Sequence, residues 1–198
     1  MTGVQTCDLP ISKSTLNMMM MSFSAIGVVT VLWVAFGYAL AFGDSGSPWY
    51  GAVSGSNLGS QVSSLVSNGA AYPIPVLAFA GFQLMFAIIT PALISGAIAD
   101  RAKFATWVVF VALWSTVVYF PVAHWVFDFG GADSNGAGWL AARGVLDFAG
   151  GTAVHINAGA AGLALALVLG KRVGWRREAM RPHNLPLVLS GAGLLWFG

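Results

Sequence analysis

Charge is what this sequence has least of. Asp, Glu, Lys and Arg make up 8% of its 198 residues, against roughly a quarter in soluble domains, which excludes an ordinary water-solvated surface over most of the chain. Cysteine is nearly absent: Cys7 stands alone, so neither a disulfide framework nor a paired-cysteine metal site is available. No heptad repeat, no phosphate-cradling glycine loop and no grouping of nucleophile, base and orienting acid occurs, so the chain does not read as an enzyme and no cofactor or metal is expected. Basic residues cluster only at 171–181, a run that suits anionic lipid or a cytoplasmic partner and not nucleic acid.

Apolar residues fill the space that charge leaves. They reach 57%, with a mean hydropathy of +0.77. Intervals free of charge run over 14–43, 45–99, 104–127, 148–170 and from 182 onward, and a helix needs about 20 mainly apolar residues to cross a bilayer. The expectation is an all-α polytopic membrane protein with spans at 16–42, 72–99, 104–126 and 148–169, and a truncated span at 185–198. Two outer loops, 43–71 and 127–146, are rich in Gly with Ser or Asp. Lys13, Arg101, Lys103, Lys171, Arg172, Arg176, Arg177 and Arg181 alternate onto one side, and Arg143 falls on the other. Positive residues mark the cytoplasmic side, so the chain is expected in the cytoplasmic (inner) membrane with Asp147 at its outer surface. Residues 1–12 differ in character from the rest and are similar to the translated read-through of a sequencing adapter; they are read as non-native, with 13–198 as the true domain, a fragment at both ends.

Polar side chains inside such helices are costly and by default functional. His155 lies eight residues after Asp147 in a run with no other charge before Lys171, about 12 Å deeper along a helix. Taken singly, each residue has a plainer reading. Asp147 is a helix cap, His155 a packed histidine, Phe82 and Phe86 lipid-facing or core aromatics. His124 and Trp125 are interfacial anchors, His183 a solvated loop residue, Pro91 a tolerated kink, and Met18 to Met21 packing bulk.

The joint pattern says more. Asp147-Phe-Ala-Gly-Gly-Thr-Ala-Val-His155-Ile-Asn-Ala-Gly159 closely resembles the signature of the ammonium transporters, the Amt/Mep/Rh family. "FAGFQLMFAIITPALISGAIADRAKF", "YFPVAHWVF" and "GKRVGWRREAMRPHNLPLVLSGAGLLWFG" resemble bacterial members in order and spacing, so the likeness covers about residues 13–198. It implies a partial ammonium-transporter fold: the first inverted repeat lacking its first helix, plus the start of the second. It also implies nitrogen uptake as ammonium or ammonia (with methylammonium as a surrogate), an assembly of three copies in the lipid bilayer, and a PII-type regulator as a cytoplasmic partner.

Carried over residue by residue, the resemblance gives Phe82 and Phe86 the vestibule and gate, on one helix face at i, i+4. His155 becomes the first pore histidine, and Asp147 a structural and cation-attracting acid below the vestibule. Gly150 and Gly151 become sites of close helix or substrate approach. Where many bacterial members carry a tryptophan after "AHxV", this chain has Phe127, followed by a longer loop with Trp139; either ring could complete the ammonium site. Two other classes stand beside the transporter: an ammonium sensor of the same fold signalling to a cytoplasmic domain, and a haem-bearing redox subunit with His124 and His155 as axial ligands.

Overall fold

The computed structural model describes residues 11–44, 47–53, 55, 58–66, 74–130, 137–172, 175–176 and 184–197. Cys7 and the first ten residues, Asp133, Arg177, Arg181 and His183 lie outside the described residues, as does the side chain of Lys13.

Where hydrocarbon replaces water, backbone N–H and C=O groups must pair within their own segment, so apolar runs close into helices. Helix α1 (Ile11–Leu32) passes through a π turn, Trp33–Gly37, into α2 (Tyr38–Phe42). After a two-stranded antiparallel ladder, β1 (Leu65–Val66) against β2 (Ile74–Pro75), come α3 (Val76–Ser95) and its 3-10 ending Gly96–Ile98. Helix α4 (Phe104–Trp114) continues through a π turn, Ser115–Tyr119, into α5 (Phe120–Phe127); a third π turn, Gly151–Ile156, opens α6 (Asn157–Leu169), and α7 covers Leu185–Phe197. Among the described residues, four continuous helices are long and apolar enough to cross a membrane: Thr15–Phe42, Val76–Ile98, Phe104–Phe127 and Gly151–Leu169. They are called the first to fourth spans below.

Two helices start later than the spans read from the sequence, which began at 72 and 148. The second begins at Val76 and the fourth at Gly151, because the residues ahead of each are held by a strand pair and by a capping carboxylate respectively. The π turns were not anticipated. The one at Ser115–Tyr119 lies just ahead of Pro121, which has no N–H for the carbonyl four residues back; a widened turn relieves that mismatch.

The core draws on all four spans, with Ala153, Val154 and Ala158 coming from the fourth. Met21, Ala25, Val29 and Trp33 recur every four residues on the first span and are fully buried, facing Trp107 and Val111. The indole of Trp107 donates to the Met21 carbonyl at 2.9 Å and that of Trp33 to the Ala80 carbonyl at 3.2 Å, fastening the first span to the third and second. A buried indole N–H without a partner would cost about 1–3 kcal/mol. The fourth span packs on the second. Every described side chain of α7 is exposed.

The two ends of the bundle differ chemically. At the basic end Arg172 pairs with Asp100, and Arg101 donates to the carbonyls of Ala97 and Gly170, joining the second and fourth spans. At the opposite end the loops are straps laid over helix ends. Gly51 N–H donates to the Leu40 carbonyl (2.8 Å), Gly138 N–H to Asp128 (2.8 Å), Trp139 N–H to Pro48 (2.8 Å) and Leu140 N–H to Trp125 (2.9 Å). At Gly138 the approach is so close that an added Cβ would fall 1.9 Å from the His124 carbonyl oxygen.

Candidate functional site

The head of the fourth span is built on one carboxylate. Oδ1 of Asp147 accepts from the amides of Gly150 (2.7 Å) and Gly151 (2.8 Å), and Oδ2 from those of Thr152 (2.8 Å) and Ala153 (3.0 Å). The first amides of a helix have no partner within it, and here one side chain supplies them all while its charge faces the positive end of the helix dipole. Partial burial opposes ionisation of Asp147, but the four amides outweigh it and hold the carboxyl below its ordinary pKa.

Gly150 shapes the entry to this span. Its φ of +88° lies in the left-handed region, and a Cβ there would meet Val154 Cγ2 at 2.6 Å and Phe86 Cδ1 at 3.6 Å. Gly151 differs: among the described residues an added Cβ would touch only Asp147 Oδ1, at 3.9 Å, and no neighbouring helix presses on it. The Gly150 carbonyl then receives both Val154 N–H (3.0 Å) and His155 N–H (2.9 Å), the latter with π spacing. One widened turn thus decides which face of the span the His155 ring occupies.

That face is open. His155 is exposed along a groove of about 470 Å³, shared with Leu93, Ala97, Ala158, Gly159 and Gly162. Small residues on the fourth span leave the groove wide, and apolar side chains of the second form its other wall.

Above the groove the aromatic rings form a series. Phe82, exposed, sits edge to face with Phe86 at 5.0 Å between centroids, and Phe86 lies 6.2 Å from Phe127, which is buried. Thr90 Oγ1 donates to the Phe86 carbonyl at 2.6 Å. Trp139 does not join them. It stacks on Trp49 at 5.3 Å, meets Trp125 edge-on at 5.6 Å and lies 4.8 Å beneath the Arg143 guanidinium carbon.

His124 corrects an expectation. It is not an interfacial anchor: it is 1% exposed, with Nδ1 3.1 Å from the Ala41 carbonyl oxygen and 3.2 Å from Asp128 Oδ2, and Nε2 2.9 Å from the Ser47 carbonyl oxygen. With oxygen atoms at both ring nitrogens, neither is free to ligate a haem iron. Trp125 likewise is held, its indole donating to the Trp49 carbonyl at 2.7 Å. The signal for His124 was its i, i+4 spacing to Asp128.

Four apolar spans among the described residues define a polytopic helical membrane protein. The family model described as Ammonium Transporter Family matches residues 5–198, and the chain belongs to that family. An ammonium transporter of Mycobacterium tuberculosis (strain ATCC 25618 / H37Rv) is 56% identical over 94% of this chain and 42% of its own length. One from Aquifex aeolicus is 49% identical over 94% and 41%. Among solved structures, Mep2 of Candida albicans superposes with a TM-score of 0.70 at 31% identity, covering 94% of this chain and 44% of that one. The chain therefore spans less than half the length of these relatives.

Proposed function

We propose that, in a protein of its relatives' length, this chain supplies one wall of a pore that carries ammonium or ammonia across the cytoplasmic membrane. The observation that carries the reading is the unbroken contact from Phe82 through Phe86 to Phe127 and Gly150, directly above an open groove holding His155. The relatives named as ammonium transporters support the substrate.

Each residue has a role that its surroundings suit. A bare ion in hydrocarbon faces a Born cost of order 20 kcal/mol, and ring faces can offset part of it, at about 0.5–2 kcal/mol per cation–π contact. Phe82 and Phe127 form the vestibule and Phe86 gates it. His155 lines the lumen below, where an imidazole can donate or accept a hydrogen bond and relay a proton left behind by ammonium. Asp147 is first a cap, since four amides occupy its oxygens, and attracts cations only at long range. Trp139 belongs to the strap that joins the two loops. The open face of the second and fourth spans suits an inverted second half, and three such proteins would assemble. At the basic end, exposed Lys103, Lys171 and Arg176 suit anionic lipid or a PII-type regulator. A sensor of the same fold would use the same site without sustaining flux, and uptake separates the two.

The test is methylammonium uptake by the full-length protein in a transporter-null strain. Phe127→Ala should raise KM about tenfold, the order of one lost cation–π contact, and Trp139→Ala should leave KM within about twofold. The reverse pattern would move the vestibule to Trp139, and an absence of uptake by the parent protein would reject the transporter reading.

A further inference from the structure

The pore reading makes no use of His124, a buried titratable side chain that sits where both straps cross the end of the third span. Three oxygen atoms surround its two ring nitrogens: Ala41 O and Asp128 Oδ2 at Nδ1, and Ser47 O at Nε2. The two carbonyls can only accept. A ring with a single N–H turns a lone pair toward oxygen on its other side, a proton shifted to Asp128 satisfies the carboxylate alone, and a ring donating from both nitrogens satisfies all three. Burial raises the Asp128 pKa, the Gly130 amide (3.0 Å) and His124 oppose that rise, and Asp44 adds to it. Asp44, from the first strap, and Tyr38, from the first span, are the titratable groups that share an electrostatic interaction with Asp128.

We propose that His124, doubly donating and paired with Asp128, is a positioning residue for the vestibule: it clasps both straps to the end of the third span and so holds the Phe127 ring against Phe86. The proposal rests on the reading of Phe127 and Phe86 as the vestibule. Phe127 lies in the last turn of α5, three residues after His124 and one before Asp128. That turn is tied laterally to the first span through Ala41 and to the first strap through Ser47. The second strap closes over it, with Gly138 against the His124 carbonyl and its amide on the Asp128 carbonyl. The Trp139 amide, on Pro48, then joins one strap to the other. Removing the imidazole releases Ser47 of the first strap and leaves Asp128, whose other oxygen holds the Gly130 amide at the start of the second, without its partner, so the Phe127 ring between them loses its fixed place while the groove below is untouched.

The experiment uses the full-length protein with its cysteines replaced by Ser and reads two quantities for His124→Ala, His124→Gln and Asp128→Asn. One is the KM and Vmax of methylammonium uptake. The other is the rate at which an impermeant maleimide labels a cysteine placed at Ala137, which is only 8% exposed in the second strap. His124→Ala should raise KM and the labelling rate about tenfold each, with Vmax per inserted protein within about twofold, as expected for loss of roughly one buried hydrogen-bonded anchor. His124→Gln, which retains an amide donor, should fall between, and Asp128→Asn should shift both readouts in the same direction. An unchanged KM, or a fall in Vmax alone, overturns the proposal, as does unchanged labelling at position 137. If His124→Ala fails to insert, the Gln and Asn variants decide by the same criteria. Should the parent carry no methylammonium, the pore reading fails by itself, and labelling still decides whether the clasp exists.

Discussion

Asp147 offers a quantitative test of whether the acid at the head of the fourth span caps a helix or captures a cation. Its two oxygens hold four amides at 2.7–3.0 Å. A single cap is worth about 0.5–2 kcal/mol and a hydrogen bond to a charged group about 1.5–3 kcal/mol. Gly151 is exposed, so water can replace part of what is lost, and Asp147→Ala should therefore cost about 2–4 kcal/mol. Asp147→Asn keeps one accepting oxygen but turns an NH2 toward two amide donors, and should cost nearly as much. The sign of the pH effect follows from the lowered carboxyl pKa. The stabilisation is complete above the unfolded value, near 3.9, and disappears as pH falls through the native one. Thermal unfolding of detergent-purified full-length protein should show wild type losing more stability than Asp147→Asn on acidification below pH about 4. Unfolding of Asp147→Asn within about 0.5 kcal/mol of wild type, together with a collapse of uptake, would refute capping as the main role.

Two further outcomes follow. Gly150→Ala should destabilise by at least about 1–2 kcal/mol, the cost of a left-handed residue, plus the clash with Val154; Gly151→Ala, with nothing inside 3.9 Å, should be near neutral. Thermal unfolding of both variants checks this. Single cysteines at Tyr50 and Val53 should react with an impermeant thiol reagent in intact cells and one at Arg176 should not, as the basic asymmetry demands; labelling at Arg176 alone would invert the topology.

The spans were legible because hydrocarbon penalises charge so strongly that its absence alone outlines them. The Asp147 cap was legible too, since a carboxylate three residues before paired glycines is a local arrangement. The π turns at Trp33–Gly37, Ser115–Tyr119 and Gly151–Ile156 were not. Hydropathy follows side chains, and a shift from i−4 to i−5 pairing changes no residue type. The turn at Gly151 matters most, because it sets the direction of His155. His124 was misread for a related reason. Position near a span end suggests an aqueous interface, but two straps separated by some 90 residues of sequence fold over it. The place of the Trp139 ring likewise depended on long-range packing: it stacks on Trp49, a partner from the other loop.

The central claim is that the groove carrying His155 is the path of the substrate. Ammonium-induced current and methylammonium uptake, measured side by side in proteoliposomes holding the full-length protein, test it most directly. His155→Ala should cut the current at least about tenfold, the scale of one lost proton-handling group, whether or not neutral substrate still passes. Current and uptake both within about twofold of the parent, with unaltered pH dependence, would contradict the account.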